Sequence, residues 1–195
     1  MLVGGAEAET FRNRKGFFSL NVQAICNANL QFMDIVARWP GSAHDSRIFA
    51  NSRIKEKFEN GVFGNSVLLA DSGYPNKKYC LTPLTNPVQQ REILYNEAQI
   101  RTRNTIERAF GVLKRRFPVL SLGIRLALEK VQCIVIVASI LHNIAVSVNE
   151  IEPPPLPDNI EQAILDTENL PEEPFNNIGN VPLTVIPYLN HFNNL

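Results

Sequence analysis

The carboxylate of Asp71 directly follows a short apolar run at 67–70 and precedes the turn residues Ser72 and Gly73. A continuous apolar run of this length indicates a buried strand, and the turn residues indicate that the strand ends at Asp71. The strand would fix the carboxylate while the turn leaves one side open, which suits a metal ligand or a catalytic acid. The structural alternative is that Asp71 accepts hydrogen bonds from the amides of its own turn.

A second carboxylate, Glu107, lies in a stretch that predicts a helix from about residue 89 to Pro118, which ends it. Its apolar residues recur at helical spacing, and at about 100° per residue Glu107 flanks their face. Gly111, one turn further on, removes bulk beside Glu107 and would let a backbone or a ligand approach. The alternative is a solvated glutamate paired with Arg103 or Arg108.

The same predicted helix is rich in base, with Arg101, Arg103, Arg108, Lys114, Arg115 and Arg116 set against Glu97 and Glu107. Such a cluster suits a polyanion, because each neutralised phosphate releases counterions. A charged helix face that is merely solvated is the alternative. The charge distribution favours nucleic acid. All nineteen basic residues fall within 1–150 with twelve acids, a net +7, whereas 151–195 carries seven acids and no Lys or Arg.

The elements around these residues predict an α/β layered domain. Two apolar runs, 17–26 and 30–39, flank a turn-forming triplet and predict a β-hairpin. The pattern Ser42-x-x-Asp45 matches a capping box before a helix at about 43–58. A further strand is expected at 79–81, and a helix at about 127–148 is apolar nearly all round, so we expect it to be buried against the sheet. The Pro-rich region 151–195 is expected to be mostly disordered, with a short helix at 159–168.

Composition also excludes several classes. The longest apolar stretch is too short for a bilayer span, so no membrane association is expected. The first residues lack the features of a secretory signal. The cysteines Cys26, Cys80 and Cys133 are widely spaced in apolar surroundings, which predicts buried, reduced thiols rather than disulfides or a zinc site.

Five ordered blocks of residues within about 12–148 resemble the PIF/Harbinger transposases and the nucleases derived from them. They are Asn13-Arg14-Lys15-Gly16-Phe17-x-Ser19-x-Asn21-Val22-Gln23, Trp39-Pro40-Gly41-Ser42-x-His44-Asp45-Ser46-Arg47, Leu68-Leu69-Ala70-Asp71-Ser72-Gly73-Tyr74, Asn104-x-Ile106-Glu107-Arg108-x-Phe110-Gly111-x-Leu113-Lys114-x-Arg116-Phe117 and Leu141-His142-Asn143.

The resemblance implies an RNase H-like mixed sheet flanked by helices, with a catalytic triad of two Asp and one Glu. Asp71 and Glu107 would be two of its members, and Asp45 belongs to a family block in which a metal-binding role and a structural role both remain open. The implied chemistry is cleavage of DNA phosphodiesters with Mg²⁺ or Mn²⁺ held by carboxylates. The basic residues of the Glu107 helix would hold the DNA backbone. No small-molecule substrate is implied, and family members act with a separate Myb/SANT-like DNA-binding protein.

The first Asp of the family triad precedes the Asn-Arg-Lys-Gly block in a segment resembling Ile-Asp-Gly-Thr-His, and residues 1–12 contain no such segment. We therefore expect a divergent N-terminus at 1–11, a partial nuclease domain at 12–150 without its first strand, and an acidic tail at 151–195. Impaired cleavage is expected, and Asp34 and Glu9 are the candidates to replace the ligand. The alternative function is a non-catalytic DNA-binding or protein-recruiting adaptor. The expected location is the nucleus, with the cytoplasm as the alternative.

Overall fold

The structure is a computed structural model that describes residues 8–12, 18–150, 152–168 and 190–191. Short 3-10 helices lie at Ala8–Phe11 and Pro118–Leu120. The strands are β1 (Leu20–Cys26), β2 (Phe32–Pro40), β3 (Leu68–Leu69), β4 (Cys80–Leu81) and β5 (Asn190–His191). The helices are α1 (Asp45–Ala50), α2 (Arg53–Glu59), α3 (Gln90–Arg116), α4 (Leu128–Ser147) and α5 (Asp158–Glu168).

The strands form one sheet in the order β2-β1-β5-β3-β4. Its pairing is mixed: β3 runs parallel to β4, β5 runs parallel to β1, and β5 and β3 are antiparallel. This confirms the predicted α/β class. No strand was predicted at 190–191, whereas the short helix of the acidic tail is present as α5. The predicted disorder of the tail also concerns residues 151, 169–189 and 192–195, which lie outside the described residues.

The chain divides into two compact units. The first holds the described residues of Met1–Val22, Ala37–Ala43 and Phe110–Ile186, and the second holds those of Gln23–Val36, His44–Ala109 and Pro187–Leu195. The division crosses β1, β2 and α3. Asp45, Asp71 and Glu107 all fall in the second unit.

The predicted hairpin is confirmed as β1 and β2, which are joined by a turn that Asn27 organises. The Asn27 side-chain oxygen accepts hydrogen bonds from the backbone N–H groups of Asn29 and Gln31, both at 3.0 Å. Leu30 takes a positive φ of 66°, the left-handed conformation that such a turn requires. All seven residues of β1 are buried. A polar side chain in the turn therefore sets where an otherwise buried strand ends.

The helix predicted over 43–58 is two helices, α1 and α2, and the capping-box interpretation is wrong. Ser42 donates its hydroxyl to the carbonyl of Thr10 at 2.5 Å instead of capping a helix. His44 is the N-cap of α1 and makes no side-chain capping bond. Ser52 interrupts the predicted helix because its Oγ accepts the N–H of Lys55 at 3.3 Å and caps α2.

The second unit is held together by an apolar cluster to which β1, α1, α2, β3, β4 and the turn between β3 and β4 contribute. Its buried members are Ile25, Phe49, Ile54, Phe58, Leu68, Ala70, Tyr74 and Cys80. Aromatic contacts bind the turn to the helices: Tyr74 meets Phe49 edge-on with ring centroids 5.7 Å apart, and Tyr79 stacks on Phe58 at 5.4 Å. The turn that follows β3 is therefore fixed by side-chain packing.

In the first unit, α4 was predicted to be buried against the sheet, and the structure buries it on one side only. One side of α4 is buried, including Val135 and His142, whereas the other side exposes large apolar residues such as Ile140 and Ile144. By length and composition α4 is the one helix of the described residues that passes as a membrane span, a test that the core helix of a soluble protein also passes. The prediction that all three thiols are buried also fails, because Cys133 on α4 is exposed.

An ionic cluster at the end of α2 joins that helix to the turn before β4. The carboxylate of Glu59 lies 3.0 Å from Lys55 Nζ and 3.2 Å from Lys77 Nζ, and it accepts the Tyr79 hydroxyl at 2.9 Å. These hydrogen bonds, led by that of Lys55, lower the pKa of Glu59 to about 2. The cluster is solvent-exposed, so its contribution to stability is small and sensitive to salt.

We predict that Glu59→Gln lowers the melting temperature modestly near neutral pH. A lowered pKa means that the carboxylate stabilises the fold above its unfolded value of about 4.5 and loses that effect as the pH falls toward about 2. The melting temperatures of the two proteins should therefore converge on acidification. Glu56→Gln, on the same helix, is the matched control for loss of a charge, and a Glu59→Gln difference that persists at pH 2 would contradict the assignment.

Candidate active site

The structure places Asp71 immediately after β3, as predicted. Its Oδ1 accepts the N–H of Gly73 at 2.8 Å, and the N–H of Tyr74 donates to its backbone carbonyl at 3.2 Å. The predicted alternative, in which Asp71 accepts a hydrogen bond from an amide of its own turn, is therefore present at Oδ1. The side chain is nevertheless only half-buried. The turn therefore orients the carboxylate without enclosing it.

Asp45 converges on the same turn. A Cβ atom built on Gly73 would lie 3.1 Å from Oδ1 of Asp71 and 3.3 Å from Oδ2 of Asp45. The two carboxylate oxygens therefore face one point that glycine leaves vacant, and they can be no farther apart than the sum of these distances. A larger residue at position 73 would fill this space. The structure thus brings together two of the three acids that the sequence predicted.

Two features of α1 bring Asp45 to this position. Asp45 is the first residue of α1, where the N-terminal end of the helix dipole favours a negative charge. One turn later Phe49 is fully buried and packs against Tyr74 of the turn. This aromatic contact holds the start of α1 beside Gly73. A metal-binding role and a structural role were both left open for Asp45. The structure excludes the capping-box form of the structural role.

The sequence analysis missed Gln99, which fixes α3 to the ends of the two parallel strands. The buried Gln99 donates Nε2 to the carbonyl of Ala70 at 2.6 Å and to that of Leu81 at 3.3 Å. Ala70 directly precedes Asp71, so this bond holds the end of β3. The signal was present, because Gln99 lies seven residues before Ile106, on the apolar stripe of α3.

Two further side chains attach the first half of α3 to the segment after β4. Asn96 pairs with Leu84 through both amide atoms, accepting its N–H at 2.7 Å and donating to its carbonyl at 2.9 Å. Tyr95 donates its hydroxyl to the carbonyl of Thr82 at 3.0 Å. The helix that carries Glu107 is therefore docked by polar contacts to backbone atoms.

Glu107 does not join the two aspartates. Its carboxylate lies 3.1 Å from Nη1 of Arg103, one helical turn earlier, and its side chain is 49% exposed. The alternative of a glutamate paired with Arg103 is thus present in the structure. Among the described residues, no three His, Cys, Asp or Glu side chains are grouped closely enough to hold a metal ion. A Cβ added at Gly111 would meet nothing within 4 Å, so no backbone approaches at that position.

The six basic residues of α3 differ in their surroundings. Arg101, Arg108 and Arg115 are exposed. Arg103 is held by Glu107, and Arg116 donates to the carbonyl of Glu150 and lies 3.6 Å from its carboxylate. Lys114 is half-buried. Three of the predicted cations therefore project directly toward solvent.

The two candidates for a replacement ligand are Glu9 and Asp34. Glu9 pairs with Arg12 through both of its oxygens, at 2.8 and 3.0 Å. Asp34 lies on β2, where burial raises the pKa of its carboxyl group and the charge of Lys57 opposes that effect. Neither residue belongs to a group of three metal-ligating side chains within the part of the chain that is described.

The pair Asp45 and Asp71 nevertheless suits a hard divalent cation. Carboxylate oxygens are the ligands that Mg²⁺ prefers, and this ion commonly uses one or two carboxylates and completes its shell with water. The vacant space at Gly73 leaves room between the two oxygens. Two like charges that face one point also repel each other, and a bound cation would relieve that repulsion.

Comparison with known proteins identifies the family of the chain. The family model described as DDE superfamily endonuclease matches residues 3–143. The chain belongs to this family. The protein named Putative nuclease HARBI1 in Mus musculus is 35% identical over 162 residues, which is 80% of the chain and 46% of that relative. The Homo sapiens protein of the same name is 35% identical over 72% of the chain and 41% of its own length.

A more distant plant relative also matches. Protein ALP1-like of Arabidopsis thaliana is 25% identical over 149 residues, which is 68% of the chain and 36% of that protein. The chain thus spans less than half the length of each of these three relatives. No solved structure matches the chain significantly.

We predict that Gly73→Ala destabilises the protein by about 1 kcal/mol, because its Cβ crowds two carboxylates at 3.1 and 3.3 Å. Adding Asp45→Ala should recover part of this loss, which a double-mutant cycle of urea unfolding would measure. Gly111→Ala is the control and should stabilise by about 0.5–1 kcal/mol, since helix propensity improves without a clash. Additive effects of the Gly73 and Asp45 substitutions would contradict the convergence.

We predict that Gln99→Met costs about 1–3 kcal/mol, because the carbonyl of Ala70 loses its side-chain donor in a buried position. Amide hydrogen exchange in the segment 68–74 should accelerate, since the end of β3 is released. Gln162→Met on α5, where the side chain is exposed, is the matched control. Equal stability losses for the two variants would show that the Gln99 contact does not hold the strand.

Proposed function

We propose that this chain carries the catalytic region of a metal-dependent DNA endonuclease derived from a transposase. The observation that supports the proposal is the convergence of Asp45 and Asp71 on Gly73 in a member of the DDE endonuclease family. Asp71 follows a buried strand, where the family motif has an acid, and the sheet is mixed, as an RNase H-like architecture requires. The relatives are named as nucleases, which adds weight to the same chemistry.

In this proposal Asp45 and Asp71 hold a divalent cation, Mg²⁺ or Mn²⁺. The bound cation supplies Lewis-acid charge that favours attack on the phosphorus and stabilises the leaving oxygen. The N–H of Gly73 fixes one oxygen of Asp71 and so orients the carboxylate. The neutral backbone at Gly73 leaves the space between the two acids open to the ion.

Glu107 is the third proposed member of the site. It lies on α3, eight residues after Gln99, whose amide holds α3 to the residue before Asp71. In the structure Glu107 is paired with Arg103, so its recruitment requires that this ion pair be broken. The carboxylate side of the pair is 49% exposed, so solvent and a cation can both compete with the arginine for it.

The basic residues of α3 are proposed to bind the DNA backbone. Arg101, Arg108 and Arg115 are exposed and can each neutralise a phosphate, with release of counterions. Arg103, Lys114 and Arg116 contribute to the positive potential of the same helix. We propose that the protein acts in the nucleus and that a separate Myb/SANT-like protein supplies recognition of the DNA sequence.

We propose further that the 195-residue chain cleaves DNA weakly by itself. Two converging carboxylates offer fewer ligands than a two-metal site uses, and Glu107 is engaged by Arg103. The same observations favour a second function, that of a DNA-binding adaptor without cleavage. The two functions differ in whether the acidic pair binds a cation.

Fe²⁺-directed scission of the polypeptide tests the metal site without requiring DNA cleavage. With Fe²⁺, ascorbate and peroxide, we expect the backbone to be cut near Asp45 and within 71–73, and excess Mg²⁺ to suppress the cuts. Asp45→Asn and Asp71→Asn should each abolish them. Asp158→Asn, at an exposed acid of α5, is the matched control and should leave the pattern unchanged.

Plasmid nicking, measured beside DNA binding, separates the two functions. The nuclease proposal expects Mn²⁺ to stimulate weak nicking of supercoiled plasmid by the wild-type chain, and Asp71→Asn to abolish it. On a plot of log affinity against log salt concentration, Arg101→Gln and Arg108→Gln should each reduce the slope by the equivalent of about one phosphate contact. DNA binding of normal salt dependence, with neither scission nor nicking, would establish the adaptor and exclude the endonuclease.

A further inference from the structure

The exposed side of α4 carries a continuous row of large apolar side chains. Six residues on or next to the helix are 42–67% exposed, namely Ile136, Val137, Ile140, Leu141, Ile144 and Val148. At about 100° per residue they fall within an arc of about 140°, together with the exposed Cys133. The buried residues of α4 occupy the opposite arc. We call this row the α4 face.

The α4 face contains no charge. Between Lys130 and Glu150 the sequence has no Asp, Glu, Lys or Arg, and His142 is fully buried on the other side. Nucleic acid and charged peptides are therefore poor partners for this surface, because they would lose solvation without gaining an ion pair. The face matches an apolar partner, and a copy of itself meets it without repulsion.

The spacing along the face is that of a helix-packing seam. Cys133, Val137, Ile140 and Ile144 are separated by four, three and four residues. This alternation is the pattern that lets two helices interdigitate along their length. A lipid surface would place no such requirement on the spacing, and a membrane span would need the buried His142 side of the helix to face lipid as well.

The size of the face also fits a pair of copies. The exposed parts of six large apolar side chains amount to on the order of 500 Å², at the upper limit of what monomeric soluble proteins leave uncovered. Two such faces would together bury on the order of 1,000 Å², the area at which a specific interface becomes distinguishable from a chance contact.

We infer that the α4 face is the interface of a homodimer, in which α4 of one copy packs against α4 of the other. Such an interface is self-complementary, so each residue of the face contacts residues of the same face in the second copy. Ile140 lies midway along the row and therefore lies closest to the twofold axis. The inference concerns the first unit alone and is independent of the proposed endonuclease activity.

Sedimentation equilibrium of the whole 195-residue chain tests the dimer. We expect a reversible dimer, and Ile140→Glu should weaken its dissociation constant at least tenfold, because the substitution buries two like charges at the axis. Leu94→Glu is the matched control: Leu94 on α3 is as exposed as Ile140, at 54%, but lies outside the face. A wild-type chain that remains monomeric at every accessible concentration would overturn the inference.

Cross-linking provides a test that does not depend on a disruptive variant. In a Cys133→Ser background, Ile140→Cys should form a covalent dimer with a short bismaleimide, whereas Leu94→Cys should not. Cys26 and Cys80 do not interfere, because burial raises the pKa of both thiols to about 12. Equal cross-linking of the two variants would indicate random collision and contradict the interface.

The other occupants of the face give distinct results. Co-sedimentation with neutral phosphatidylcholine vesicles that is lost in Ile140→Glu, without a dimer in solution, would assign the face to a membrane surface. A monomer in which the thiol of Ile140→Cys resists alkylation until the protein is unfolded would show that another segment of the same chain covers the face. Either result would overturn the inference.

Discussion

The position of Asp71 depends on a single carboxamide. Gln99 donates to the carbonyls of Ala70 and Leu81, and so ties α3 to the ends of two strands that are only two residues long each. Strands this short have few ladder bonds of their own, so a buried side-chain donor has a disproportionate effect on where they end. The carboxylate of Asp71 begins one residue after this contact, and its turn is held against α1 by Tyr74 and Phe49.

The pairing of Asp45 with Asp71 is electrostatically unfavourable by itself, and the structure compensates for each charge separately. The N–H of Gly73 hydrogen-bonds one oxygen of Asp71, and the first turn of α1 offers the positive end of a helix dipole to Asp45. In the proposed function a cation would occupy the space beside both carboxylates, and a side chain at position 73 would fill that space.

The sequence predicted the elements well wherever a period or a breaker was decisive. The spacing of Ile106 and Phe110 with the stop at Pro118 defined α3, and the triplet around Asn27 defined the hairpin. The errors have a common cause, since local patterns do not show which of two partners a side chain chooses. Ser42 resembled a helix cap but donates its hydroxyl to the carbonyl of Thr10. For Glu107 the sequence could not decide between a metal-binding role and an ion pair with Arg103, because a helical glutamate can do either. Gln99 was missed because a polar residue on an apolar stripe has meaning only once its acceptors are known.

The misjudged burial of α4 is a different kind of error, because its sequence contains the information but in ambiguous form. A helix that is apolar all round has to bury both sides, and the prediction assigned both to the same sheet. In the structure His142 and Val135 belong to the core of the first unit, while Ile140 and Ile144 remain exposed. The composition therefore indicated correctly that the helix surface is apolar, but it did not show which side of the helix the chain itself buries. Charge is distributed accordingly: base lies on α3, acid lies on α5, and α4 has no charge beyond its first turn, which leaves apolar packing as its means of recognition.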